Sequence, residues 1–169
     1  MNLISKTSSK IILIRGENFS SEFRLNSILE KLRSHSENID SVFCSEIFLV
    51  LLKKDLISIK KNELESLNSI LNSSPDQDYP KNNSFVIVPR QGTQTPWSSK
   101  AQDIFKNCRI NFVERVERGF LYSISSKLLL NSDQLKNLGE ILADRMTQSV
   151  IFQPEEANSI FSKVDIFQT

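Results

Sequence analysis

Histidine is almost missing from this chain: His35 is the only one, and it stands in the polar stretch Arg33–Asn38. A Ser-His triad or a histidine-bound metal has nothing to stand on. Cysteine is nearly as scarce. Cys44 falls on an expected strand and Cys108 on an expected helix face, so both are expected buried, reduced and unable to bridge each other. Charge of one sign is missing too: 21 Lys+Arg against 20 Asp+Glu leave a net +1, with no block of like charge. A nucleic-acid or membrane-surface role therefore lacks electrostatic support. No apolar run reaches the length of a membrane span, and Met1–Ser9 has no apolar core of the signal-peptide kind. The chain has no GxxxxGK(S/T) phosphate loop, no GxGxxG turn after a strand and no Cys/His cluster. Carboxylates such as Glu22, Glu63, Asp133 and Asp144 stand singly on solvated faces. These absences leave a 169-residue chain, long enough to bury a core, expected in the cytoplasm and without a catalytic constellation.

What is present is a run of alternating elements. Lys10–Ile14 reads as a short strand, after which Gly16 turns the chain. Ser20 or Ser21 caps a helix whose inner face is Leu25, Ile28, Leu29 and Leu32. Ile39–Cys44 and Ile47–Leu52 read as a hairpin, and Asn62–Leu71 as a second amphipathic helix. The polar run Asn72–Asn83, with two prolines and no periodicity, reads as a linker. Then the order begins again. Phe85–Val88 is a strand closed by Pro89, and Arg90–Gln94 a turn. Thr95-Pro96 opens a helix with a hydroxyl at the N-cap and proline at the first helical position. Trp97, Ala101, Ile104, Phe105 and Cys108 follow on one face. Ile110–Val116 and Phe120–Ile124 are expected as a hairpin bent at Glu117-Arg118-Gly119, and a helix carries Leu135, Leu138, Ile141 and Leu142.

The ordered matches, Gly16 with Gly92, Leu25 with Ala101 and Leu64 with Leu135 among them, imply a tandem duplication. The expected fold class is α+β: two β-α-β-β-α units forming antiparallel sheet covered by helices on one face, paired about a pseudo-two-fold axis. The expected boundaries are unit 1 at 9–71, linker 72–83 and unit 2 at 84–150 within a domain 1–150. Residues 151–169 start a connection onward, opened by a short helix at Pro154-Glu155-Glu156 with Ala157, Ile160 and Phe161 on one side.

The stretch VPRQGTQTPWSSKAQDIFKNC, followed by ERVERGFLYSI, resembles the amino-terminal domain of phosphoribosylformylglycinamidine synthase, the large single-chain formylglycinamide ribonucleotide amidotransferase. Ile14–Leu32 and Asp133–Phe161 resemble it more loosely. The resemblance implies a fused pair of the small accessory subunits that multi-subunit versions of the enzyme use as dimers. It implies a role in purine biosynthesis within an ATP- and glutamine-dependent ligase. The glutamine-cleaving site and the ATP- and magnesium-binding residues would lie in later domains, so this chain would hold no cofactor. The implied function is assembly and coupling: the synthetase and glutaminase domains of the same polypeptide are held in register for ammonia transfer. The competing reading is a stand-alone small-molecule-binding regulatory module, since paired units of this kind also describe sensor domains.

Two segments are candidate contacts with adjoining domains. In the first, Arg90, Thr95, Ser98, Ser99 and Lys100 gather at a helix N-terminus, where free N–H groups and the helix dipole suit a carboxylate or phosphate. Trp97 there is the structural anchor. The second holds Arg115, Glu117 and Arg118 as a polar docking rim at the expected hairpin bend. The plain alternatives are a well-capped helix and a solvated edge with weak ion pairs.

Overall fold

The computed structural model describes residues 3–6, 10–18, 21–73, 83–92 and 94–161. Its strands are β1 (Leu3–Lys6), β2 (Ile11–Asn18), β3 (Ile39–Leu52), β4 (Ser84–Pro89), β5 (Val113–Ser126) and β6 (Gln148–Ile151). Among the described residues they form one sheet in the order β1-β2-β3-β5-β4-β6, every pair antiparallel. The helices are α1 (Glu22–Arg33), α2 (Lys61–Ile70), α3 (Pro96–Asn107) and α4 (Ser132–Leu142), with 3-10 turns at Leu56–Ser58 and Pro154–Phe161. Ser20, residues 74–82 of the expected linker and residues 162–169 lie outside the described residues.

Side chains alternate across the sheet as the strand period requires. Ile12, Ile14, Phe48 and Val50 face one side and pack under α2 and α3. On that same side, Val42, Phe85, Ile87 and Ile124 pack under α1 and α4. The intervening residues Ile11, Leu13, Ile47, Leu49, Val86 and Val88 face the other side, where Ala157 and Ile160 of the 3-10 segment cover them. The α+β class and the helices on one face of an antiparallel sheet are as the sequence implied.

Each expected hairpin is instead a single strand. β3 and β5 are 14 residues each and run side by side from Ile39↔Ser126 to Leu52↔Val113. The polar residues that suggest bends are satisfied inside the sheet. Ser45 is buried and accepts a hydrogen bond from Arg15 Nε at 3.1 Å. Gly119 is a close-approach residue, not a turn residue: a Cβ there would stand 2.8 Å from the Ile87 carbonyl oxygen of β4. The units therefore read strand-helix-strand-helix, and β1 and β6 are added at the two edges. The strand order from the central β3–β5 pair outward matches on both sides, with β2 beside β3 and β4 beside β5.

The expected helix starts are present at α1 and α3: Ser21 Oγ accepts from the Arg24 N–H, and Thr95 Oγ1 from the Ser98 N–H. One cysteine differs from expectation. Cys44 is buried, but Cys108 is the exposed C-cap of α3, past the last turn that faces the sheet. A thiol reagent is therefore expected to add once to the native protein and twice after denaturation, counted by intact mass.

Burial pushes the Cys44 thiol up from 9.0 to about 11, with the Tyr122 hydrogen bond opposing. The unfolded chain loses this proton near pH 9 while the folded one keeps it, so its contribution is intact below pH 9 and lost as pH rises toward 11. Wild type should fall in stability across that window more steeply than Cys44→Ala, by about 2 kcal/mol at the upper end. Denaturant titrations at both pH values check this, and parallel pH profiles would refute it.

Candidate functional site

The start of α3 is built on a buried carboxylate. Pro89 ends β4, Gly92 takes the left-handed φ of 79° in the following turn, and the chain enters α3 at Thr95-Pro96. There Glu117, on β5, is 0 % exposed. Thr95 Oγ1–H donates to Glu117 Oε2 at 2.9 Å, and the Thr95 N–H approaches Oε1 at 3.4 Å. Arg115 Nη2 donates to the same Oε1 at 2.9 Å, while its guanidinium lies over the Phe161 ring at 5.4 Å. Because the Thr95 hydroxyl gives its proton to Glu117, its lone pair is left to cap the Ser98 N–H at 3.1 Å. Ser98 is itself 0 % exposed and donates its hydroxyl to the Val116 carbonyl. Sheet and helix are thus locked together at the first turn of α3.

Beside this network, a groove of about 390 Å³ opens between α2 and α3. Its floor holds Phe48 and Trp97, stacked with ring centroids 5.8 Å apart. Leu71, Ala101 and Phe105 continue the apolar wall, and Ile104, 45 % exposed, stands at the lip. The polar members are Glu46, Lys100 and Arg118. Arg118 Nη1 pairs with Glu46 Oε1 at 3.6 Å, and its guanidinium lies 5.4 Å from the Trp97 ring centre and 5.5 Å from that of Phe120. Gly16 on β2 leaves the room these side chains use, since a Cβ there would stand 2.8 Å from Phe48 Cε2.

The residues singled out from sequence separate into groups. Thr95, Ser98, Arg115 and Glu117 form the buried network, whereas Trp97, Lys100 and Arg118 line the groove. Ser99 is exposed on the first turn of α3. Arg90 is exposed after β4, its N–H donating to the Thr147 carbonyl at 3.0 Å, and it joins neither group. Two expectations change. Ser98 and Glu117 are sealed in the core and cannot touch a partner. Arg115, Glu117 and Arg118 are not a rim at a bend, because the bend does not exist and the strand carries them to opposite faces. Sequence reasoning missed Glu46, Phe48, Ile70 and Leu71 as groove residues; Glu46 stands between the strands expected at 39–44 and 47–52.

Among the described residues, no group of three or more His, Cys, Asp or Glu is placed to hold a metal ion. No helix among them is long and apolar enough to cross a membrane. A family model described as formylglycinamide ribonucleotide amidotransferase N-terminal matches residues 45–161. That match contains the whole Thr95–Glu117 network and every groove residue named above.

Proposed function

Because the chain belongs to the family of formylglycinamide ribonucleotide amidotransferase N-terminal domains, we propose that it is the non-catalytic coupling domain of that cytoplasmic purine-biosynthesis enzyme. On this reading its partners are the synthetase and glutaminase domains of the same polypeptide, which it holds in register so that ammonia passes between them. On this reading ATP and magnesium are held by those domains and not by this chain. The matching strand order on either side of the β3–β5 pair supports reading the chain as a fused, duplicated accessory subunit.

The observation that carries the docking role is the contrast within one helical turn. Thr95 and Ser98 spend their hydroxyls inward, fixing the helix, while Ser99 and Lys100 are presented outward. A surface held this firmly costs little conformational entropy when a partner closes on it. Ser99→Ala/Lys100→Ala should leave the melting temperature of this domain within about 1–2 °C, as surface substitutions do. In the complete enzyme the same pair should lower glutamine-dependent synthesis more than ammonia-dependent synthesis. Normal glutamine-dependent turnover in the double variant would remove the contact role.

A further inference from the structure

Three features lie outside the coupling role as stated. Cys44 is sealed beside half-buried Tyr122, out of reach of a reagent in the native fold. The hollow near His35 and Arg145, about 370 Å³, is lined mainly by the polar flank of α4. The α2–α3 groove carries more, because its shape and its charge point to the same occupant.

We infer that this groove receives a segment of an adjoining domain that presents one large apolar side chain followed closely by an Asp or Glu. The inference rests on the docking role proposed above and adds the pocket and the chemistry of what enters it. The floor is preformed by the Phe48–Trp97 stack, and its volume accommodates one or two large side chains. Ile104 extends that apolar surface to the lip, where it is 45 % exposed.

The rim is biased toward cations. Lys100 and Arg118 face a single carboxylate, Glu46. The Glu46–Arg118 contact is 3.6 Å and Arg118 keeps 35 % of its side chain exposed, so the pair leaves donors for a second carboxylate. Stacking over Trp97 and Phe120 holds the guanidinium in place beforehand. An apolar side chain alone would leave Lys100 beside it without a counter-charge. An acidic one alone would leave the aromatic floor wet. A segment carrying both satisfies both.

The test uses the complete polypeptide with photoreactive p-benzoylphenylalanine in place of Ile104 or, separately, Ser99. Both positions are exposed on α3, so folding is expected to survive and is checked by melting temperature. The expected result at 104 is a cross-link within the same polypeptide, beyond residue 169, to an apolar residue lying within a few positions of Asp or Glu. Lys100→Glu should cut that yield about tenfold and Lys100→Arg should not. A cross-link at 99 without one at 104 overturns the groove and leaves the docking role standing. Cross-links at neither position overturn both. A cross-link at 104 to a segment lacking a carboxylate, or to a second copy of the chain, also overturns the inference.

Discussion

Glu117→Ala should destabilise this domain by about 3–5 kcal/mol, the largest loss expected of any single polar substitution in it. The carboxylate is wholly buried and takes hydrogen bonds from Thr95 and Arg115. Removing it takes from the Arg115 guanidinium, only 18 % exposed, the carboxylate it pairs with at 2.9 Å, and frees Thr95 from the orientation that caps α3. Two further variants separate these losses. Glu117→Gln keeps an acceptor for Thr95 but not the charge, so it should recover the cap and not the ion pair. Glu117→Leu/Arg115→Met replaces the pair by apolar side chains of similar volume, and such replacements are often close to neutral. Urea titrations of the set measure this. A loss below about 1 kcal/mol for Glu117→Ala would mean that the carboxylate is not what holds α3 to β5.

Trp97→Ala is expected to cost about 3 kcal/mol, the low end for removing a large aromatic because one side of the ring borders the open groove. The ring stacks on Phe48, which is 3 % exposed at the centre of the larger helix-side cluster, and it also supports Arg118. Truncation therefore loosens both the core and the groove. Trp97→Phe should restore most of the stability, since an aromatic face remains for Phe48 to pack against. Trp97 is the only tryptophan, so unfolding must be followed by circular dichroism. A loss for Trp97→Ala no greater than that of Ser99→Ala/Lys100→Ala would show that Trp97 is surface and not anchor.

How far the sequence revealed these features depends on whether each signal was local. The Thr95-Pro96 helix start was legible because capping is decided within four residues, and the structure has it as read. The helix faces were legible because 3.6-residue periodicity survives without knowing the partner. The two long strands were not. Glu117 and Ser45 look like turn residues unless Thr95 and Arg15, far off in the chain, are known to satisfy them. The pairing of Gly16 with Gly92 misled in another way. Gly92 has a positive φ in a turn, whereas Gly16 lies within β2 and makes space for Phe48. One residue type answered two different steric demands. The groove escaped detection because α2, β3, α3 and β5 each contribute to it, and no single stretch carries its pattern.

The central β3–β5 ladder joins residues 39–52 to residues 113–126, the most distant pairing of long strands in the sheet. Neither strand can complete its hydrogen bonding until more than half the chain has been traversed, and the intervening loop must close before that ladder returns any energy. Folding should accordingly be governed by a late, non-local docking step, not by helix formation, with β2–β3 and β4–β5 each exposing an open edge until they meet. During synthesis the first half emerges with β3 unpaired on that side, so the interval before β5 follows is the period in which the chain is most exposed to aggregation.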